Sequence, residues 1–231
     1  VTYDGINYWI SANTEVDLSD KLPQDNQYND SIGIDVGIKK FAQVSDGSVY
    51  QTPKIIKTIN KRIRKQQSRL SRMKNRRRDI SRKAIIKLED VPLTKNEAKL
   101  RDQNIKLRIR RKNIINSFLH QSTTEIANKY PSRIVMENLS VGGFVKRGAH
   151  YSNKDDIYHA YWYKFRELMK YKAEERGIEF VLADSRFPSS QICSNCGNIR
   201  KVSGREYICH NCGFRIDRDL NAAINLSNYY A

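Results

Sequence analysis

Four cysteines, Cys193, Cys196, Cys209 and Cys212, form two Cys-x2-Cys pairs with twelve residues between the pairs, and the chain has no others. This is the spacing of a zinc ribbon, and it constrains the fold more than any other feature. Gly197 and Gly213 follow the second cysteine of each pair, where the backbone must fold back. Four thiolates suit Zn2+ in a closed tetrahedral site, and with no position left for water the metal is structural rather than catalytic. A single cluster of this kind argues against a secreted disulfide framework; two redox-active Cys-x-x-Cys pairs are the weaker alternative. The loop so formed is small and polar, so metal binding is expected to fold it.

Charge is the second constraint. The formal net charge is +17, with a sequence pI of about 9.8. Residues 61–112 hold 21 Lys and Arg against 5 Asp and Glu, a net +16, so nearly all of the excess lies in this one block. A charge so concentrated reads as a surface for a polyanion, because each neutralised phosphate releases condensed counterions. A merely solvated helical face is the competing reading. No run of about 18 apolar residues occurs and no basic n-region precedes an apolar stretch, so neither a membrane span nor a signal peptide is expected. The expected location is cytoplasmic and nucleoid-associated. The chain opens on Val1, in what reads as a strand, and is expected to be a piece of a longer protein.

Residues 1–18 alternate around Tyr8, Ile10 and Val16 and read as one or two strands, followed by a polar linker from Leu18 to Asp30. In SIGIDVGIK, Ser31 to Lys39, apolar residues alternate with Gly33, Asp35 and Gly37, the period of a strand. Phe41–Val44 and Ser48–Thr52 add two short strands and complete a meander. Ile59, Ile63, Leu70 and Met73 then fall at helical spacing. After the break at Val91-Pro92-Leu93, a second helix is expected from about Asn96 to Lys129, with Thr94 as N-cap and Leu100, Ile105, Ile109, Phe118, Leu119 and Ile126 as its buried stripe. Two helices joined by a short turn should form an antiparallel hairpin. A strand over Ser132–Met136, ending at Glu137, precedes a Gly-rich loop over 138–155. A helix over Tyr161–Arg176, a strand over Ile178–Ala183, the cysteine module and a last helix from Asp219 to about Tyr229 complete the order. The expected fold is α/β with a mixed sheet.

Three carboxylates stand out by context. Asp35 lies mid-strand between Ile34 and Val36, Glu137 ends an apolar strand, and Asp219 starts the last helix. Burying a charge is costly unless it is paired or bound to metal. Three acids on core elements suggest a shared site for a hard cation, Mg2+ or Mn2+, suited to phosphodiester hydrolysis with two metals. Independent placement of each acid, with Asp219 as an N-cap, is the bland alternative. His120 is set aside as part of a helical stripe and His210 as part of the zinc turn.

Together these residues resemble a known family. GIDVGIKKFAQVSDG (33–47) is similar to the first RuvC motif of the TnpB (OrfB) family and IVMENLSVGG (134–143) to its second. FPSSQICSNCG (187–197), CHNCG (209–213) and DRDLNAAINL (217–226) resemble its zinc ribbon and third motif. WYKFRELMKYKAEERG (162–177) also follows the family pattern. The resemblance implies an RNase H-like fold with an inserted basic helical hairpin and zinc ribbon. It implies a nuclease of an insertion element that cuts DNA matched by a guide RNA, related to miniature type V CRISPR effectors. It places the catalytic acids at Asp35, Glu137 and Asp219, the last chosen over Asp217 because it stands two residues before Asn221. It implies guide RNA and target DNA as partners, with base pairing supplying specificity and the protein holding the duplex by its backbone. Arg62, Arg69, Arg72, Arg76, Arg77 and Arg78 are the candidate backbone contacts. The implied organisation is a β-domain end plus linker over 1–30, a RuvC-like core over 31–186 with the hairpin at 58–130, the ribbon over 187–215 and the last motif over 216–231. A catalytically silent guided repressor and a transposase proper are the alternatives; the three retained acids argue against the first.

Overall fold

The computed structural model describes residues 1–3, 7–23, 27–138, 155–202 and 204–230. The expected loop over 138–155 falls outside them except at its two ends. The chain divides into two compact units, Val1–Glu15 with Pro53–Ser117, and Val16–Thr52 with Phe118–Ala231.

The first unit holds a short antiparallel pair, β1 (Thr2–Tyr3) and β2 (Tyr8–Trp9), and two long helices. Helix α1 runs Ile55–Ala84 and α2 runs Lys95–Ala127, its final residues from Phe118 onward counting with the second unit. The Thr94 hydroxyl accepts the Glu97 N–H at 3.1 Å, the expected N-cap contact. Ties run from Asn60 to Arg111, from Gln66 to Asn104 and from Arg77 to Glu97, rising along one helix while falling along the other. The helices are therefore antiparallel. Ile56, Ile59 and Ile63 are buried, whereas Ile105, expected in the stripe of α2, is 41% exposed; Asn104 is buried in its place.

The second unit is built on a five-stranded mixed sheet in the order β5-β4-β3-β6-β7. Strands β3 (Ile32–Val36), β4 (Ala42–Val44) and β5 (Val49–Tyr50) form the antiparallel meander, and β6 (Arg133–Glu137) and β7 (Glu179–Ala183) continue it in parallel. Central β3 is buried along nearly its whole length, as a strand covered on both faces must be. Helix α3 (Asp155–Glu174) begins earlier than the expected Tyr161 and makes the crossover between β6 and β7. Phe41 meets Phe118 and Phe165 edge to face at 5.2 and 5.4 Å. The ammonium of Lys172 on α3, buried, donates to the His120 carbonyl and to the Thr123 and Thr124 hydroxyls of α2.

A two-stranded ribbon, β8 (Glu206–Ile208) with β9 (Arg215–Asp217), leads straight into the last helix, α4 (Arg218–Ser227). Helix α4 lies directly on β3. A Cβ at Gly33 would stand 2.0 Å from the Ala223 carbonyl oxygen and 2.4 Å from the Ser227 nitrogen, so only glycine allows this approach. Val135, Ala183 and Leu226 close the same interface. Among the described residues no helix is long and apolar enough to cross a membrane.

Candidate functional site

Strand register brings two of the three acids together. Gly33 pairs with Val135 and Ile34 with Met136. Asp35 and Glu137, one residue further along parallel strands, share the face that carries Gly33 and Val135, the face covered by α4. The site thus forms at the carboxyl ends of β3 and β6, beside the first turn of α4, where Asp219 sits. Burial, the Glu137 charge and the Asp219 charge together push the Asp35 carboxyl up to about 8. Burial also raises Glu137 above the usual carboxylate range. Asp35 and Glu137, two carboxyls that resist ionisation, form with the neighbouring Asp219 a donor set that a hard divalent cation would relieve.

Asp217 does different work. Its side chain caps α4, accepting the N–H groups of Asp219 and Leu220 at 3.0 and 3.1 Å. Burial opposes its ionisation, but the Lys40 ammonium at 2.7 Å and the cap N–H groups hold its carboxyl below the ordinary value. Asp219 is therefore not the cap and keeps its carboxylate for the cluster. Lys40 stands 3.9 Å from Asp219 and 3.0 Å from the buried Gln43 amide oxygen. Neither Lys40 nor Gln43 is singled out by sequence reasoning; a lysine five residues after a strand aspartate carries no motif of its own. His120 and His210 are both exposed, His120 on an outer face of α2 rather than in its buried stripe.

The cysteines form a second cluster, every Sγ within 4.8 Å of the other three. Among the described residues no other set of metal-binding side chains, the three acids included, closes so tightly. Cys193 and Cys212 are 3.8 Å apart, Cys196 and Cys209 3.6 Å. A tetrahedron with metal–sulfur bonds of about 2.3 Å has edges of about 3.8 Å, so the donors fit Zn2+. The two turns match: Gly197 and Gly213 both have φ of +74°, and their N–H groups donate to the Cys193 and Cys209 carbonyls. Each turn also lends an amide to the other, Asn195 to the Cys212 sulfur at 3.6 Å and Asn211 to the Cys196 sulfur at 3.7 Å. Tyr207 is fully buried beside Cys193 and Cys209.

Of the six arginines expected on a phosphate backbone, Arg69, Arg72 and Arg76 line one concavity of the first unit with Lys99, Met73 and Leu100. Arg62 and Arg78 are exposed elsewhere on α1. Arg77 departs from that expectation. Its guanidinium faces inward, donating to the Val91 carbonyl at 3.0 Å and pairing with the buried Glu97 at 3.1 Å. Arg101 closes on the same carboxylate at 3.2 Å. A buried glutamate between two arginines holds the helices together rather than a ligand.

A family model described as "Probable transposase" (OrfB_IS605) matches residues 11–148, and one described as "Cas12f1-like, TNB domain" matches 162–226. A Streptomyces pristinaespiralis protein named "Putative RNA-guided DNA endonuclease" is 31% identical over 85% of this chain and 44% of its own length. The like-named InsQ of Escherichia coli (strain K12) is 28% identical over 95% of this chain and 53% of its own. The chain thus spans about half the length of the curated relatives it matches. In fold it is similar to a solved CRISPR-Cas12f ternary complex, with a TM-score of 0.54 at 18% identity over 90% of this chain and 40% of that one.

Proposed function

The chain belongs to the OrfB_IS605 transposase family, the TnpB family, and from that premise we propose that it is the nuclease portion of an RNA-guided DNA endonuclease carried by an insertion element. The observation that carries the reading is the convergence of Asp35, Glu137 and Asp219 from β3, β6 and α4, with Asp35 pushed far above the ordinary carboxylate range.

Asp35, Glu137 and Asp219 would hold Mg2+ or Mn2+. Divalent ions in such a site supply the Lewis acidity that hydrolysis of a DNA phosphodiester requires. The chain's own residues do the rest. Asp35 and Glu137 are set abreast by strand register. Asp219 is presented by a capped helix turn, and Lys40 keeps a positive charge beside the acids. Cys193, Cys196, Cys209 and Cys212 would hold a structural Zn2+. The basic face of α1 and α2, with Arg62, Arg69, Arg72, Arg76 and Arg78 as candidates, would grip the backbone of a guide RNA–target DNA duplex without reading its sequence. On this reading the RuvC-like core spans 31–186, the ribbon 187–215 and the final motif 216–231.

The test is cleavage of single- and double-stranded DNA by the full-length protein with RNA from its element's end, in Mg2+ and in EDTA, beside Asp35→Ala. Cutting that needs RNA and metal, and that the variant lacks, is the expected result. Tight RNA-dependent DNA binding without cutting would instead make the protein a guided repressor.

A further inference from the structure

Helix α4 carries two buried amides one turn apart, Asn221 and Asn225, and both reach off the helix to the segment that forms the first cysteine pair. Asn221 donates to the Ile192 carbonyl at 2.7 Å and accepts the Ser194 N–H at 3.0 Å. Facing one acceptor and one donor, its amide is satisfied in a single orientation. Asn225 donates to the Ser189 and Ile192 carbonyls, each at 2.7 Å. Ile192 immediately precedes Cys193, and Ser194 lies inside the first pair.

A second tie acts from the other side. The last ribbon strand ends at Asp217 and α4 starts at Arg218 with nothing between them. The Arg218 N–H donates to the Arg205 carbonyl at 2.7 Å, and Asp217 caps the turn that carries Asp219. The ribbon therefore grips the first two turns of α4 by two amide clamps and by its own final strand. Among the described residues its apolar cluster is small, with Cys193, Tyr207 and Cys209 buried and Val202, Phe214 and Ile216 packed against them. Two of the three buried members are the proposed metal ligands themselves, so the shape leans on the metal.

We infer that Asn221 and Asn225 are positioning residues that transmit the zinc-held shape of the ribbon to Asp219, so that occupancy of the cysteine site sets the divalent-ion affinity of the carboxylate cluster. This rests on the reading of the two metal sites given above. If zinc is lost, the Ser194 N–H and the Ile192 carbonyl no longer present a fixed frame, and Asp219 loses the register that places it beside Asp35.

Mn2+ serves as the probe because bound Mn2+ is read directly by its electron paramagnetic resonance spectrum. In the full-length protein, stripping zinc should weaken Mn2+ binding about tenfold or more, the size typical of lost outer-shell support. Asn221→Ala, loaded with zinc to wild-type stoichiometry, should do the same. Since coupling between binding sites is reciprocal, saturating Mn2+ should tighten zinc retention in the unaltered protein by the same factor as zinc tightens Mn2+. That arm needs no substitution and so cannot be confused with misfolding. Zinc retention indifferent to Mn2+, or a zinc-loaded Asn221→Ala with wild-type Mn2+ affinity and spectrum, would overturn the coupling. Asp219→Ala separates the two levels: if it binds Mn2+ as tightly as wild type, the assignment of the acidic cluster fails and the coupling with it. If Asp219→Ala weakens Mn2+ while zinc has no effect, only the coupling fails.

Discussion

The Lys40 ammonium lies 2.7 Å from the Asp217 carboxylate, which pins the turn after β3 to the residue that caps α4. One ion pair thus joins the strand that carries Asp35 to the helix turn that carries Asp219. It also keeps a cation at the edge of a site proposed to bind cations. Lys40→Met removes that competing charge, and half-saturating Mg2+ for cleavage should fall about threefold, as expected for a partly exposed pair. A rise in half-saturation, measured by titrating Mg2+ at fixed DNA, would mean that the pin matters more than the charge.

Asp35 offers a prediction about stability as well as activity. Its pKa is raised from the ordinary 3.8 to about 8, so the folded protein holds this proton more tightly than the unfolded chain does. Between those two values the folded state binds more protons, and metal-free stability must fall as pH rises, levelling off above about 8. Asp35→Asn should remove that decline. In EDTA at pH 8 its melting temperature should exceed that of wild type, and at pH 4 the two should converge. Neither Asp35→Asn nor Asp35→Ala should cut DNA, while both keep nucleic-acid affinity near the wild-type value.

Gly33 is the contact on which α4 rests. A methyl group there meets backbone on both sides, at 2.0 and 2.4 Å, and backbone cannot rotate away. Gly33→Ala should cost about 3 kcal/mol or more, the upper end for overpacking, read from the shift in denaturant midpoint. A cost below about 1 kcal/mol would show that α4 can lift from the sheet without loss of the fold.

Two neighbouring arginines should behave in opposite ways. Arg77→Ala leaves the buried Glu97 with Arg101 alone and should lower stability by about 3 kcal/mol. Arg76→Ala should change stability by less than about 0.5 kcal/mol. In nucleic-acid binding the order reverses. Arg76→Ala should weaken all sequences about equally and reduce the salt slope by about one, whereas Arg77→Ala, below its melting temperature, should leave the slope unchanged.

Much of this was legible in the residues. Alternation over Ser31–Lys39 announces β3, and the apolar run over 132–136 announces β6. A helix between β6 and β7 is the connection that parallel strands require. A glycine in the middle of a buried strand is itself a sign of close backbone approach, which Gly33 bears out. Other features needed the third dimension. In sequence Arg77 looks like its neighbours because a basic run is uniform, although it falls four residues after Met73 on the stripe begun by Ile59 and Ile63. Position on that stripe was the available signal. Asn221 and Asn225 fall four residues apart on the apolar side of α4, flanked by Ala222 and Ala223, and amides in such a place call for buried partners. Which partners they find depends on where the ribbon folds back. The exposure of Ile105 and His120 was not legible, because in a helix rich in Lys and Arg a single apolar stripe is poorly defined.

The direct junction of β9 to α4 has a practical meaning for protein engineering. Asp217 is at once the last paired residue of the ribbon, the helix cap and the partner of Lys40, so the joint has no slack. A ribbon borrowed from a relative can be spliced here only if the Asp217–Arg218 phase is kept to the residue, because a single inserted residue would rotate Asp219 by about 100° around the helix axis. Gly204 stands just before β8 at the same end of the ribbon as this joint, since Glu206 pairs with Asp217, although a Cβ there would meet nothing within 4 Å. Open space there does not make it a place for tags or linkers, because the carbonyl of the next residue, Arg205, holds the Arg218 N–H that starts the acid-bearing helix.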